Sequence, residues 1–282
     1  MAKKTGSALA KNSAFAKKSE TESDSKKFGG AVALSEVVAF ADKFCGKSEF
    51  RDFDGAFNGL QFQNSGTVLR VASAVDAGLW EIRQAAALGA NLLVVHHGLY
   101  WDAPIPVVGA NYEKIRALLD ADMAVYSMHL PLDAHPKIGN NKLLADALDL
   151  EISGGCVEVE GKDIGVTATM PKGGRAELER RLKNLFADTY KGFSFGSENP
   201  KKIAICSGSC GDVVPHLPEL GFDTLVCGEL RERHFTMARD MGLNLYPCGH
   251  YATERFGAMA LAETIAEKFG LKTNFIETGN PL

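Results

Sequence analysis

Three short apolar segments of the chain are each followed, within two residues, by residue types that bind divalent metal ions. Each segment leads into histidine, and in two of them a carboxylate comes four positions after the histidine. In chain order they are His96 and His97 after residues 92–95, His129 and Asp133 after residues 125–128, and His250 and Glu254 after residues 245–248. Imidazole and carboxylate groups suit zinc, iron, manganese, cobalt or nickel, and no soft thiolate is required. The residue types therefore predict a metal site.

The spacing of these residues is compatible with more than one ion. If a helix begins near His250, then Glu254 lies on the same face, four residues further along. The adjacent His96 and His97, placed on a loop, can point apart, and each can then address a different ion. Asp133 stands in a proline-containing loop and can bridge two ions, as carboxylates often do.

Each feature also has a purely structural explanation. A histidine pair at a strand end is commonly a packing or surface feature, His250 with Glu254 can begin a helix, and His129 with Asp133 can form a turn. The conjunction favours metal binding, because ligands of open α/β sheets bind beyond the carboxyl ends of the strands. Four of the seven histidines lie where a predicted strand ends.

The elements that must position these residues alternate along the chain. Apolar periodicity predicts strands over residues 68–75, 91–95, 123–127, 164–170, 202–206, 224–227, 243–246 and 272–276. It predicts helices over residues 34–44, 79–88, 112–119, 140–148, 176–186, 213–220, 230–241 and 253–269. Strands separated by helices indicate an α/β fold with mainly parallel pairing. The polar stretch 151–162 is the predicted passage into a second domain.

Composition limits the classes of protein to consider. With 31 Lys and Arg against 35 Asp and Glu, the net charge of −4 argues against a general nucleic-acid binder. The apolar runs are far shorter than the roughly 18 residues that a membrane span requires. Residues 1–29 are Ala-, Ser- and Lys-rich and predict a disordered tail. The six cysteines include no C-x-x-C pair, which favours reduced, structural thiols in a cytoplasmic protein.

The same three segments resemble the metal motifs of the Nif-three-like (YbgI-type) family. The resemblance is carried by residues 96–101 (HHGLYW), 129–133 (HLPLD) and 249–254 (GHYATE), and residues 58–61 (NGLQ) resemble the family's N-terminal signature. It spans roughly residues 34–276. Members of this family are often described as homologues of GTP cyclohydrolase I type 2.

The resemblance implies a fold and an assembly. It implies two interlaced α/β domains, with the metal site at the carboxyl ends of strands: residues 30–135 with 246–282 as the metal-binding domain, and residues 136–245 as the second. It also implies a ring-shaped homo-hexamer with the sites facing an inner cavity. The implied dinuclear centre holds two divalent ions per chain through His96, His97, Asp133, His250 and Glu254.

The chain departs from the family pattern at three places. Leu130 and Pro131 replace a polar pair, which affects substrate contacts there but leaves Asp133 in place. Glu229 is a longer carboxylate than the aspartate that many members carry. Cys248 stands where an acid is common before Gly-His, and we expect it to pack rather than to bind metal.

These residues predict a dinuclear metal-dependent hydrolase that acts on a nucleotide-like or phosphorylated small molecule. Two ions would lower the pKa of a water towards about 7 and stabilise charge on a phosphoryl or carbonyl oxygen. His129 is the candidate catalytic residue, as an orienting group or a proton shuttle. The residues do not distinguish between two reactions, the opening of a nucleotide ring and the hydrolysis of a phosphoester. The alternative is a protein that stores, delivers or senses metal without a substrate of its own, and a third is an interaction module whose site is structural.

Other chemistry-bearing residues carry weaker signals. The stretch from Ser207 to Gly211 either cradles an anion with backbone N–H groups or forms a tight turn. The turn is favoured, because the stretch matches neither the Walker nor the dinucleotide-binding glycine pattern. His234 either lies near the crevice or packs elsewhere. His135 and His216 are expected to be structural or peripheral.

Overall fold

Helices and strands alternate through the computed structural model, which describes residues 30–101 and 106–282, so the predicted tail over 1–29 lies outside the described residues. The strands are β1 Val32–Ala33, β2 Gly59–Phe62, β3 Thr67–Val68, β4 Arg70–Asp76, β5 Leu92–His97, β6 Ala124–Ser127, β7 Ile152–Val159, β8 Lys162–Thr169, β9 Phe193–Ser194, β10 Lys202–Ser209, β11 Thr224–Glu229, β12 Asn244–Pro247 and β13 Lys272–Phe275. The α-helices are α1 Leu34–Phe44, α2 Leu79–Ala87, α3 Gly109–Asp120, α4 Leu130–Asp133, α5 Asn140–Ala147, α6 Gly174–Leu185, α7 Arg233–Met241 and α8 His250–Phe269.

A five-stranded sheet in the order β13-β4-β5-β6-β2 carries the first two predicted ligand segments. Its strands pair in parallel except β2, which runs antiparallel to β6. The first four residues of β5 are fully buried, which explains their unbroken apolar run in the sequence. Because β5 and β6 are parallel neighbours, the residues that follow them emerge at the same edge.

The second large sheet has six strands in the order β7-β8-β10-β11-β12-β9. Its centre, β10-β11-β12, is parallel, and antiparallel strands flank it on both sides. Within the polar stretch 151–162, residues 152–159 form β7, an edge strand paired with β8, so the stretch is the first strand of this sheet and its role as the passage into a second domain stays a prediction. Only Cys156 of β7 is buried and its other residues are exposed or half-buried, which explains the polar composition.

Helix α8 connects the two sheets. The chain leaves the five-stranded sheet after β6, builds the six-stranded sheet, and returns through α8 to add β13. Along its length α8 contacts β4 and β5 of one sheet and β10 and β11 of the other. Its later turns bury Leu261 and Ile265 in a core shared with Leu92 and Val94, whereas Phe256 packs in the core of the six-stranded sheet. The fold is thus mixed α/β, and the domain boundaries given above stay a prediction.

Two predicted helices differ in the structure. Residues 211–216 form a 3₁₀ helix that contains Pro215, in place of the predicted helix over 213–220. Helix α8 begins at His250 rather than at residue 253, because Gly249, with φ 101°, turns the chain sharply after β12. Within the described residues, no helix combines the length and the apolar character needed to cross a bilayer.

Candidate metal centre

The ends of β5 and β12 bring four of the predicted ligands into contact. His96 and His97 close β5, and His250 opens α8 with Glu254 one turn later. Glu254 Oε2 lies 3.0 Å from Nε2 of His250 and 3.4 Å from Nε2 of His97. Its Oε1 lies 3.7 Å from Nε2 of His96. The carboxylate of Glu254 therefore stands between three imidazoles.

Asp133 approaches the same cluster from α4. Its Oδ2 lies 3.5 Å from Nε2 of His96. Its Oδ1 accepts hydrogen bonds from Nδ2 of Asn140 at 2.8 Å and from Oγ of Ser207 at 3.2 Å. Asp133 thus lies on a helical turn rather than in the expected loop, and it turns one oxygen to a single histidine. Glu254, by contrast, lies between three imidazoles, and the expected bridging of two ions by Asp133 stays a prediction.

Each of the four clustered histidines is oriented through its Nδ1 atom. The oxygens beside Nδ1, at 2.8–3.2 Å, are the Met128 carbonyl for His96 and the carboxylates of Asp76 for His97, Asp52 for His129 and Glu229 for His250. Such oxygens only accept, so Nδ1 carries hydrogen and Nε2 is the nitrogen left to bind a ligand. Metal-binding histidines are commonly held in this way. Asp52 and Asp76 were not predicted from the sequence, because they lie 77 and 21 positions from their histidines, and Glu229 stood out only as a departure from the family pattern.

The donor set fits a divalent metal. Three buried atoms of the cluster form no hydrogen bond of good geometry, although two of them, Nε2 of His250 and Oε2 of Glu254, lie 3.0 Å apart: Nε2 of His96, Nε2 of His250 and Oε2 of Glu254. Leaving such groups unpaired costs about 1–3 kcal/mol each, so native proteins rarely bury them without a ligand or a catalytic role. Two groups of residues place their ligand atoms within 4.8 Å of one another: His96, His97 and His129, and His97, His250 and Glu254. A cation satisfies all three unpaired atoms, because each can present a lone pair.

His129, predicted as a catalytic residue, lies in the first of these groups. Its ring centroid is 4.9 Å from that of His96 and 5.8 Å from that of His97. Asp52 accepts from its Nδ1 at 2.8 Å, and Asn58 Oδ1 accepts from its backbone N–H at 2.7 Å. Burial favours the neutral form of Asp52, but its hydrogen bond to His129 and the charge of that ring outweigh this and lower its pKa. Asp52 therefore stays ionised and holds the imidazole in one orientation.

The electrostatics of the cluster favour charge separation when no metal is bound. Burial disfavours protonation of His96, but the carboxylates of Asp133 and Glu254 outweigh it and raise its pKa to about 10. Burial likewise opposes charge on His250, while Glu254 and Glu229 raise its pKa to about 9. Burial would raise the pKa of Glu254, but His96, His250 and His97 hold it well below its usual range. A proton on Nε2 thus occupies the place that a metal would take.

We expect metal affinity to increase as the pH rises from 7 towards about 9. His96 and His250, with pKa values of about 10 and 9, are protonated at neutral pH, so a metal must displace their protons. Calorimetric titration in buffers of different ionisation enthalpy should show the release of one to two protons per chain. An apparent enthalpy that is independent of the buffer would contradict this assignment.

The cluster is open on one side. The side chains of His96 and Glu254 are 0% and 5% exposed, whereas those of His97 and His250 are 16% and 27% exposed. A small molecule can therefore reach the cluster past His97 and His250. Cys248 is fully buried, and its thiol points to the Tyr246 carbonyl, so it packs rather than joins the cluster.

The end of β10 closes the other side of the cluster. Ser207 binds Asp133, and the backbone N–H of Gly208 donates to Oγ1 of Thr253 at 3.1 Å. The backbone N–H of Ser207 also donates, to Oδ1 of Asn141. The N–H groups of Ser207 and Gly208 are therefore already used, and β10 passes through Cys210 directly into the 3₁₀ helix that begins at Gly211, which is the tight strand-to-helix turn.

A disulfide bond joins Cys206, in β10, to Cys210, the residue that follows this strand. The expectation that every cysteine is reduced is therefore wrong for this pair. The turn brings their Cα atoms to 6.3 Å, a distance that a disulfide spans, although their spacing matches no common redox motif. The other four cysteines, Cys45, Cys156, Cys227 and Cys248, are buried and free.

Thiol counting checks this pairing. Under denaturing conditions without reductant, we expect four reactive thiols per chain, since four of the six cysteines are free. After reduction the number should rise to six. Six thiols in protein that was purified without reductant and alkylated under denaturing conditions would show that the bond is not formed.

The remaining histidines lie apart from the cluster. His135 is buried and bonds through its ring to the Phe44 carbonyl and to the backbone N–H groups that follow it. His216 is exposed near Glu219. His234 is buried, with Nδ1 accepting from the backbone N–H of Arg231. His135 and His216 are thus structural or peripheral, as expected, and His234 packs away from the cluster.

Comparison with known proteins gives consistent matches over nearly the whole chain. A family model described as Duf34/NIF3 (NGG1p interacting factor 3) matches residues 32–281. A Deinococcus radiodurans protein named GTP cyclohydrolase 1 type 2 homolog is 35% identical over 248 residues, which make up 88% of this chain and 94% of that protein.

Two solved structures share the fold. The first, described as protein ybgI of unknown function, superposes with a TM-score of 0.81 at 31% identity and covers 89% of this chain and 100% of its own. The second, a crystal structure of a protein from Thermus thermophilus, has a TM-score of 0.79 at 32% identity and covers 89% and 100% of the two chains.

Proposed function

Because the chain belongs to the Duf34/NIF3 family, we propose that it is a dinuclear metal-dependent hydrolase acting on a nucleotide-like or phosphorylated small molecule. The observation that carries the proposal is the set of unpaired buried atoms on His96, His250 and Glu254, which stand among oriented histidines. The proposal extends to a homo-hexamer with its sites facing an inner cavity, which rests on the family resemblance, and to a cytoplasmic location, which rests on the four free thiols.

The contacts suggest how the ligands divide between two ions. Nε2 of His96 faces Oε1 of Glu254 and Oδ2 of Asp133, while His97 and His250 face Oε2 of Glu254. Glu254 would therefore join the two sets, each with at least one histidine. When bound, divalent ions supply Lewis-acid stabilisation and acidify a water, which generates a nucleophile at neutral pH.

The protein itself supplies orientation and proton transfer. Asp76, Asp52 and Glu229 fix the rings of their histidines, so the Nε2 atoms need no rearrangement before binding. The hydrogen on Nδ1 of His129 leaves Nε2 free to accept a proton from an attacking water, and the ionised Asp52 stabilises the imidazolium that forms. The partial exposure of His97 and His250 supports an enzyme over a closed structural site, because a catalytic site needs an open position.

The test combines metal content with turnover. Elemental analysis of purified, reconstituted protein should give close to two ions per chain, and this loaded protein should hydrolyse members of a nucleotide and phosphoester panel. His129→Gln should retain close to the wild-type metal content and lose about 10²–10⁴-fold in kcat, the usual contribution of an acid–base residue. Loss of an ion from His129→Gln would make that residue a ligand instead.

Two results would separate the alternatives. A loaded protein that turns over nothing on the panel but transfers its ions rapidly to a metal-free acceptor would indicate storage or delivery. Little or no metal in the wild-type protein after reconstitution would contradict the whole proposal.

A further inference from the structure

Four aromatic side chains are exposed beside the open side of the ligand cluster. Phe53, Phe57, Tyr100 and Trp101 are 53%, 61%, 45% and 42% exposed, and we call this group the aromatic ledge. Single exposed apolar residues are common, but several large rings together at a candidate site indicate a binding surface.

The ledge adjoins the histidines themselves. The Trp101 ring centroid lies 4.5 Å from that of His129 and 5.2 Å from that of His97. Phe53 lies 5.9 Å from His129. A molecule that rests on the ledge is therefore within reach of the atoms that would hold the metal.

The two loops that carry the ledge are fixed to each other. Gln61 bridges them, because its Nε2 donates to the Phe57 carbonyl at 2.7 Å and its Oε1 accepts from the backbone N–H of Leu99. Gly55 lies so close to the other loop that an added Cβ would stand 3.1 Å from the Trp101 carbonyl oxygen. The Phe57 and Tyr100 rings meet edge to face at 5.8 Å. The rings are thus held in place before any ligand arrives, which lowers the cost of binding.

We propose that the aromatic ledge binds the planar heteroaromatic ring of the substrate by stacking, chiefly on Trp101. This inference rests on the proposed hydrolase function and narrows its substrate class to molecules that carry such a ring, a purine nucleotide being the simplest. Aromatic side chains stack on every nucleobase, because each base offers a π face. A second copy of the chain fits this surface less well, since a stable interface engages roughly 20–30 residues per partner and the ledge offers four.

Tryptophan fluorescence can follow the ledge directly. The chain has two tryptophans, and the other, Trp80, lies half-exposed in α2. In metal-loaded Trp80→Phe protein, emission therefore comes from Trp101 alone. We expect guanosine or adenosine monophosphate to quench it saturably, whereas ribose 5-phosphate, which lacks the ring, should leave it unchanged.

The variant Trp101→Leu tests how much nucleotide affinity depends on this ring. Calorimetry should show about 10-fold weaker binding of the nucleoside monophosphate than in Trp80→Phe protein, as expected for the loss of one stacking partner. Metal content should be equal in both variants. Phe57→Leu is the second variant, with a smaller loss in the same direction.

Three results would overturn the inference. These are equal affinity for ribose 5-phosphate and the nucleotide, unchanged nucleotide affinity in Trp101→Leu, and a changed oligomeric state of Trp101→Leu by light scattering, which would make the ledge an interface between copies. The first two, found in a protein that holds two ions and hydrolyses phosphoesters, would reject the ledge alone. A protein without metal would fail at the proposed function instead.

Discussion

Replacing Glu254 by glutamine is expected to weaken metal binding more than about 100-fold. Removing an outer partner of a metal ligand typically costs 10–100-fold, and Glu254 is the proposed central ligand itself. Glutamine keeps the shape but removes the charge that faces His96, His97 and His250. The loss should therefore extend to both ions.

Thermal unfolding gives a second readout for Glu254→Gln. At 100 times its dissociation constant, a metal stabilises the wild-type protein by about 2.7 kcal/mol, which corresponds to roughly 5–10 °C in Tm. The variant should show no such increase at the same metal concentration, and its circular dichroism should show that it is folded. Glu267→Gln, on the exposed side of the same helix, is the matched control and should behave as wild type. Two ions retained by Glu254→Gln would remove Glu254 from the site.

Replacing Gly208 by alanine is expected to disturb the site without removing a ligand. A Cβ at this position would collide with Oε1 of Glu254 and stand 3.3 Å from Nε2 of His250. The Glu254 carboxylate is buried between imidazoles and can move away only by giving up contacts with them. We expect metal affinity to fall about 10–100-fold, the range found for changes that misplace a ligand.

Gly221→Ala is the control for backbone strain. Both glycines have positive φ, 65° at Gly208 and 79° at Gly221, so alanine strains both by about 1–2 kcal/mol. An added Cβ at Gly221 meets nothing within 4 Å. Both variants should be destabilised to a similar degree in EDTA, and only Gly208→Ala should lose metal. Equal metal content in the two variants would show that Glu254 adapts.

Local patterns predicted the parts of the site that depend on neighbouring residues. The apolar run before His96 predicted β5, and the spacing of His250 and Glu254 predicted their common helix face. The family resemblance led to the Duf34/NIF3 assignment, which the family model confirms. Such patterns predict strands and helix faces because the periodicity of a strand or of a helical turn involves only a few neighbouring residues.

Contacts between distant residues were not predicted. Asp52 lies 77 positions from His129, and no local pattern reports such a pairing. The position of the Glu254 carboxylate also depends on Gly208, which approaches it closely from strand β10 of the six-stranded sheet. The polar β7 was missed for a related reason, since its strand character comes from pairing with β8 rather than from its own composition.

The path of the chain also sets the order in which the site can be completed during synthesis. His96 and His97 leave the ribosome early, but Glu254 and His250 belong to the last long helix, which follows the whole six-stranded sheet. Contacts of such large sequence separation form late in folding. A nascent chain therefore exposes a histidine pair and Asp133 long before the central carboxylate exists. The proposed metal centre is consequently complete only after the last long helix has been made.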